Sequence, residues 1–182
     1  MTLDGFCDHT AMIADEEIHQ HYSELLSSAG TILYGRITYQ LMEYWPPIVK
    51  NPTGNKATDE FAVTIDNIPK VVFSRTLQHV DPIAIGWKTA RLAKRDIKEE
   101  VLELRQSRNG GSKDILVGSR SLIVTLLNLN LIDEFQLCVQ PIIAGKGLPL
   151  FENINDRIDL KLLKTKTFGC GAVTLYYEPE KL

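Results

Sequence analysis

The sequence has little of what marks a secreted, membrane-bound or zinc-binding protein. Its 182 residues include three cysteines, Cys7, Cys138 and Cys170, which lie far apart and form no CxxC pair. An odd number of scattered cysteines predicts neither a disulfide framework nor a zinc site and suits a reducing cytosol. The longest apolar stretches run to about a dozen residues with polar interruptions, too short to span a membrane. The start, MTLDGFCDHT, lacks a signal-peptide pattern. We therefore expect a cytoplasmic protein without a membrane partner.

Excess positive charge and the common nucleotide-binding fingerprints are also missing. The formal net charge is -3, which gives no support for a nucleic-acid partner. No GxxxxGK[ST] segment is present, which excludes a P-loop. The segment GKGLPL, residues 145–150, has leucine where a GxGxxG fingerprint needs its third glycine, and it opens no helical pattern. A classical Rossmann site is therefore not predicted.

Histidines and acidic residues near the start of the chain raise the question of a metal site. His9, His19 and His21 lie near Asp4, Cys7, Asp8 and Asp15. The fixed ligand spacings of known metal motifs, such as HExxH, are missing. We predict that the protein has no metal site.

The arrangement of apolar residues indicates a single α/β domain over residues 1–182. Patterns typical of strands alternate with amphipathic helices through the first two thirds of the chain. Two strand-like segments, 158–168 and 172–179, end the chain on either side of GCG and are expected to pair as antiparallel neighbours. The pattern predicts a three-layer sandwich with a mixed, mostly parallel central sheet and an antiparallel C-terminal edge.

Some local expectations are sharper. Residues 15–29 are expected to form a helix that stops at Gly30. A second helix follows the strand TILYG and is expected to break after Trp45, at Pro46 and Pro47. Residues 48–57 resemble a surface loop, and Thr58 is the expected cap of the next helix.

Three strand-like segments end in the same kind of polar turn: LYGRITY, VVFSRTL and ILVGSRSL, at residues 33–39, 71–77 and 115–122. The carboxyl ends of parallel strands meet at one edge of a sheet, where helix N-termini offer free N–H groups to anions. One such turn is ordinary loop chemistry. Three turns that each supply a hydroxyl group and an arginine together predict an anionic ligand, such as a dinucleotide.

The ordered set TLDGF, LYGRITYQLMEYWP, KVVFSRTL, ILVGSRSLIVTLLNLNLIDEFQLCVQPIIAGKGLPLF and FGCGAVTLYY resembles the dihydrofolate-reductase-like family. Within it, the chain is most similar to the reductase domain of the riboflavin-biosynthesis deaminase-reductase and its stand-alone relatives. The resemblance implies an NADPH-dependent reductase of a small pterin- or pyrimidine-like heterocycle. It also implies a homodimer.

The resemblance further implies which residues hold the cofactor. The GR-x-T segment maps close to the phosphates, the Ser-Arg pair to the adenosine 2′-phosphate, and the third turn to the pyrophosphate. In this chain these residues are Gly35, Arg36 and Thr38; Ser74 and Arg75; and Gly118, Ser119, Arg120, Ser121 and Leu122. The family often has two adjacent glycines at the third turn. Ser119 replaces the second of them here and reduces the room for the pyrophosphate.

On the substrate side, the resemblance places Asp4 close to the pocket, where a carboxyl group could serve as a proton source. The alternative is that Asp4 only shapes the turn before Gly5. Asp15 and Glu16 are a second choice. Gly145 and Gly147 are weaker substrate-side candidates, and Trp45 lines either a pocket rim or the core. Relatives have a full first strand ahead of this segment, so that strand is either shortened here or not fully included in the sequence.

Two other functions remain open at this point. The chain could be a nucleotide- or pterin-binding protein that keeps the fold without turnover, or a protein that assembles through a sheet edge. The first alternative predicts cofactor binding without NADPH oxidation, and the second predicts no affinity for a cofactor.

Overall fold

A computed structural model describes residues 1–7, 10, 15–77, 87–107 and 113–180. Its helices are α1 (Glu16–Ser28), α2 (Arg36–Met42), α3 (Trp45–Lys50), α4 (Lys56–Asn67), α5 (Ile97–Gln106) and α6 (Arg120–Asn128). Its strands are β1 (Phe6–Cys7), β2 (Ala29–Gly35), β3 (Lys70–Phe73), β4 (Ala90–Leu92), β5 (Asp114–Val117), β6 (Phe135–Val139), β7 (Leu148–Pro149), β8 (Leu160–Thr167) and β9 (Val173–Pro179).

The chain divides into two compact units. The first consists of Met1–Ile18 with Ile123–Leu182, and the second of His19–Leu122. The single domain expected for residues 1–182 stays a prediction.

The second unit is built on a parallel sheet with strand order β4-β3-β2-β5. All three of its strand pairs are parallel. The central strand β2 is nearly all apolar. Its three successive residues Ile32, Leu33 and Tyr34 are at most 6% exposed. Such a run is typical of a parallel strand with both faces covered. The predicted α/β class is confirmed.

An aromatic cluster fills the core of this unit. Tyr34, Tyr39 and Trp87 are at most 1% exposed, and the Tyr34 and Trp87 rings stack with centroids 6.4 Å apart. Aliphatic residues from α1, α4 and β3 complete the cluster. Burial of this much apolar surface stabilises the unit, at about 25 cal/mol per Å² removed from water.

The first unit contains an antiparallel sheet with strand order β6-β9-β8. As predicted, β8 and β9 pair across the turn that contains Gly169 and Gly171. Gly171 has a φ of +87°, which glycine adopts at little cost. The N-terminal residues run parallel to the end of β6: the Leu3 N–H donates to Ile142 O at 2.8 Å, and Thr2 forms a bridge with Gln140. This short ladder lies ahead of β1, where the family resemblance implies a first strand.

Three local predictions were wrong. Pro46 and Pro47 do not end a helix but open α3, because proline lacks only an N–H that the first helical turn leaves unpaired anyway. Residues 48–50 are therefore helical rather than loop. Asn55, not Thr58, caps α4, and its side chain accepts the Thr58 N–H at 2.9 Å. In addition, β1 and β7 pair over two residues each, which is too short for a periodic signal.

No helix in the described part of the chain is both long and apolar enough to cross a membrane.

Candidate functional site

The three polar turns predicted from the sequence come together at one edge of the parallel sheet. Gly35, the last residue of β2, lies opposite Phe73 of β3, so Ser74 and Arg75 follow directly beside it. On its other side, Leu33 lies opposite Val117 of β5, so Gly118 and Ser119 emerge level with Gly35. The parallel register therefore places all three turns side by side at the carboxyl ends of their strands, the usual ligand position in such sheets.

A hydrogen bond joins two of these turns directly. The Gly35 N–H donates to Ser119 Oγ at 2.8 Å, although the two residues are 84 apart in sequence. Ser119 is only 2% exposed. A Cβ atom placed on Gly35 would lie 3.7 Å from both Ser119 Oγ and Ser121 Oγ. Two hydroxyl groups therefore converge on the position where Gly35 has no side chain.

The fold itself does not require glycine at positions 35 and 118. Gly35 has a φ of -80°, which any residue adopts, and a Cβ there would make only ordinary contacts. A Cβ on Gly118 would meet only Tyr34 Cε1, at 3.8 Å. Neither packing nor strain therefore explains glycine at these two positions. A helix N-terminus flanked by backbone without side chains can be approached closely by an anion.

The basic residues of the turns have different environments. Arg36 and Arg75 are exposed, and Arg36 Nη1 donates to Gln40 Oε1 at 3.0 Å. Arg120, the first residue of α6, is half-buried. These three arginines place positive charge along the edge of the sheet, which suits a ligand with several phosphates.

The remaining predicted cofactor residues mainly shape the turns. Ser74 Oγ accepts the N–H groups of Thr76 and Leu77 at 3.1 and 3.0 Å and so closes the turn that carries Arg75. Thr38 is half-buried on α2, and Leu122 is 8% exposed on α6.

In the first unit, Asp4 holds a loop in place. Its Oδ1 accepts the Thr2 hydroxyl at 2.6 Å and the Ala144 N–H at 3.1 Å, and its Oδ2 accepts the Gly145 N–H at 2.7 Å. The hydrogen bonds from Thr2 and Gly145 lower the pKa of Asp4 to about 2. The side chain is therefore a carboxylate at neutral pH and does not store a proton there. Thr2, which the sequence reading did not single out, is the nearest partner of this group.

The two substrate-side glycines have structural reasons to be glycine. Gly145 has a φ of +71° and Gly147 a φ of +147°, and a Cβ on Gly147 would lie 3.1 Å from Phe6 Cβ. These positions would need glycine with or without a substrate. Trp45, in the other unit, packs edge-on against Phe61 with centroids 4.6 Å apart and borders the core cluster.

The residues considered for a metal site serve other purposes where they are described. Asp15 Oδ1 accepts the Ile18 N–H at 2.8 Å as α1 begins, and this hydrogen bond lowers the pKa of Asp15. His19 packs against the rings of Trp45 and Phe61. Asp8 and His9 lie outside the described residues. Among the residues that are described, His, Cys, Asp and Glu form no group of three or more able to hold a metal ion.

Sequence comparisons point to one family. Residues 1–174 match the RibD C-terminal domain. The uncharacterised protein YyaP of Bacillus subtilis is 36% identical over 180 residues, which cover 97% of this chain and 90% of YyaP.

Two solved structures show the same fold at low sequence identity. A candidate riboflavin biosynthesis protein from Shewanella sp. PV-4 superposes with a TM-score of 0.72 at 18% identity, over 100% of this chain and 96% of that one. A diaminohydroxyphosphoribosylaminopyrimidine deaminase/5-amino-6-(5-phosphoribosylamino)uracil reductase from Thermotoga maritima gives a TM-score of 0.62 at 19% identity. This chain is covered to 98%, but it spans only 54% of the Thermotoga protein.

Proposed function

Because the chain belongs to the family of RibD C-terminal domains, we propose that it is an NADPH-dependent reductase. Its substrate would be a small pyrimidine- or pterin-like heterocycle that accepts a hydride. The observation that carries the proposal is the row of three polar turns at one sheet edge, with the backbones of Gly35 and Gly118 left bare between them. The fold relative from Thermotoga maritima bears the name of a uracil-derivative reductase, which supports this substrate class.

In this proposal, different turns bind different parts of the cofactor. Gly118, Ser121 and Arg120 at the start of α6 would bind the pyrophosphate, next to Gly35 and Arg36 on the neighbouring strand. Thr38, Ser119 and Leu122 would support these turns from their half-buried and buried positions. The bound nicotinamide supplies the hydride, and the residues of this chain bind and orient it.

Arg75 would decide between NADPH and NADH. It is exposed at the end of β3, on a turn that Ser74 keeps closed. A guanidinium group suits the dianionic 2′-phosphate that only NADPH carries. We expect R75A to weaken NADPH binding by roughly 10- to 100-fold, because a hydrogen bond to a charged group contributes about 1.5–3 kcal/mol. NADH binding should be unchanged, which parallel titrations would show. An unaltered preference for NADPH in R75A would contradict this role.

On the substrate side, we propose that Asp4 acts through the loop that it holds. A carboxylate with a pKa of about 2 is a poor proton donor at neutral pH. Two of its hydrogen bonds, from the Ala144 and Gly145 N–H groups, hold the loop that leads to Gly147. The proton that accompanies hydride transfer would then come from water. Trp45 lies in the other unit, where we assign it to the core because it packs against Phe61.

The first experiment is a thermal melt of the pure protein alone, with NADPH and with NADH. A ligand at about a hundred times its Kd adds about 2.7 kcal/mol of stability. A chain of this size then melts roughly 5–11 °C higher. A larger shift with NADPH than with NADH is the expected result, and no shift with either would overturn the proposal.

NADPH oxidation then separates a reductase from a binding protein. The absorbance at 340 nm would be followed with a panel of reducible pyrimidines and pterins. If NADPH binds but no heterocycle accepts the hydride, the alternative of a non-catalytic nucleotide- or pterin-binding protein is favoured.

We also propose that the protein is cytoplasmic and forms a homodimer. One face of the antiparallel sheet supports the dimer. By the strand register, this face carries the buried Phe135 and seven further apolar residues: Leu137, Val139, Leu160, Leu162, Val173, Leu175 and Tyr177. None of the seven is fully buried, and Leu162 is 50% exposed. We call these seven residues the apolar sheet face.

The opposite face of the same sheet is buried at its central strand and carries lysines on β8. In the central strand β9, the buried residues are Thr174 and Tyr176, which point away from the apolar sheet face. A flat apolar face of this kind packs well on a second sheet, and a copy of the chain offers a matching one. The lysines of β8 at positions 161, 164 and 166 lie on the other face and discourage pairing along the strand edge.

A further inference from the structure

Ser119 stands at a position where its own helix would normally use it. It directly precedes α6, and a serine there usually accepts an N–H from the first turn of that helix. Among the described residues, the group that donates to its hydroxyl oxygen is instead the Gly35 N–H of the neighbouring strand, at 2.8 Å. The side chain therefore links two elements rather than capping one.

The link continues the sheet beyond the end of its ladder. The last β2–β5 pair is Leu33 with Val117. The Ile32 N–H donates to Pro69 O, toward β3, and N–H groups alternate sides along a strand. The Gly35 N–H therefore faces β5, whose strand has already ended. Ser119 Oγ takes the place of the missing ladder carbonyl.

We propose that Ser119 is a positioning residue that fixes the spacing between the Gly35 and Gly118 turns and so preorganises the cofactor site. This rests on the proposed NADPH site and deepens it. With Ser119 only 2% exposed, its hydroxyl acts through the Gly35 backbone rather than by touching the ligand. A preformed spacing avoids the cost of ordering two turns when the ligand binds. Ser119 thus leaves less room at this turn than a glycine would, but its hydrogen bond to Gly35 holds the turn in position.

The test compares S119A with wild type and with S27A, which removes an exposed hydroxyl from α1. The Gly35 amide is followed by ¹⁵N NMR hydrogen exchange without any cofactor, and NADPH affinity is measured by titration. In S119A we expect faster exchange at Gly35 and an NADPH Kd raised about 2- to 10-fold, the effect of one hydrogen bond. The far-UV circular dichroism of S119A should match that of wild type, whereas a general loss of structure would change it. S27A should match wild type in all three measurements.

The possible failures can be told apart. Unchanged Gly35 exchange in S119A would show that the link does not exist in solution. Wild-type NADPH affinity in S119A, with faster Gly35 exchange, would show that the link does not position the site. If wild type itself does not bind NADPH, the proposed function fails and this role of Ser119 fails with it. If S119A does not fold, S119T, which keeps the hydroxyl, should restore both Gly35 protection and NADPH affinity, and its failure to do so in a folded protein would overturn the proposal.

Discussion

Glycines at the sheet edge and in the hairpin turn are present for different reasons. At Gly35 and Gly118 the surrounding protein has room for a methyl group, and neither position has the positive φ that glycine tolerates best. At Gly171 the φ of +87° makes any other residue strained. Substitution by alanine therefore distinguishes the two kinds of glycine. It should lower ligand affinity where a ligand needs the glycine and lower stability where the fold needs it.

We expect G118A to keep the melting temperature of wild type and to lose about tenfold or more in NADPH affinity. The added methyl group would stand where the pyrophosphate approaches, and such overpacking costs about 1–3 kcal/mol. Melting curves and NADPH titration measure the two effects.

G171A is the matched control. It should melt about 2–8 °C lower, because a left-handed alanine costs about 1–2 kcal/mol. Its NADPH Kd should be unchanged. A G118A variant that is unstable yet binds normally would reverse our assignment of the two glycines.

At the scale of elements, a buried lysine joins the end of α4 to strand β3. Lys70 is 0% exposed, and its Nζ donates to Ile68 O at 2.8 Å, to Asp66 O at 3.2 Å and to Thr89 Oγ1 at 3.0 Å. The ammonium group also lies 4.5 Å from the centre of the Trp87 ring. A cation beside the last carbonyl groups of a helix is favourable, and Lys70 supplies one inside the core.

Because Lys70 is buried, its contribution to the free energy of unfolding depends on pH. Loss of hydration lowers the pKa of Lys70 from 10.5 to about 8, against the opposing influence of Asp66. Between these values the unfolded chain binds more protons than the folded one, so stability rises with pH. The free energy of unfolding of wild type, relative to K70M, should therefore increase by up to about 3 kcal/mol between pH 7 and 10.5.

Urea denaturation of wild type and K70M at several pH values measures this difference. K88M, at an exposed position, controls for the loss of one surface lysine. A difference between wild type and K70M that does not change with pH would show that Lys70 is not buried as a titrating amine.

The elements show which parts of the fold the sequence could predict. Helices and strands with clear periods, such as α5 and β8–β9, follow from their apolar spacing, and the three turns at the sheet edge follow from the strands that precede them. The opening of α3 did not, because the same two prolines can end one helix or begin another. The burial of Lys70 could not be predicted either, since two of its three acceptors are backbone carbonyl groups, which any sequence provides.

The candidate site was predictable to a similar degree. Its residues could be predicted from the ends of the strands, but the role of each residue could not be predicted. The hydrogen bond between Ser119 and Gly35 depends on which residues lie side by side in the folded sheet. The hydrogen bonds that Asp4 accepts from Thr2 and from a loop 140 residues away likewise depend on the tertiary fold. The local sequence, Gly-Ser-Arg-Ser or Thr-Leu-Asp-Gly, is compatible with several roles.

At the scale of the whole molecule, the apolar sheet face leads to a prediction about assembly. Its residues are half-exposed in one copy of the chain, and a stable dimer buries roughly 800 Å² on each partner. Phe151, 45% exposed and packed against Phe135 of β6, widens the apolar area. We expect wild type to be a dimer in solution and L162E to be a monomer.

Sedimentation velocity over a range of concentrations would measure this. V63E is the matched control, because Val63 on α4 is 47% exposed and Leu162 is 50% exposed. V63E should remain dimeric, and circular dichroism should show both variants folded. A monomeric wild type would contradict the dimer, and a dimeric L162E would place the interface elsewhere.

The link between Gly35 and Ser119 has a consequence for the order in which the protein folds. The β8–β9 hairpin closes over a short turn, whereas β2 and β5 meet only after a separation of 84 residues has been bridged. Loop-closure entropy makes such a distant pairing slow and late. The proposed cofactor site would then be complete only once this slow pairing step has been passed. NADPH should in that case leave the refolding rate almost unchanged and lengthen the lifetime of the folded protein, which stopped-flow refolding and unfolding would reveal.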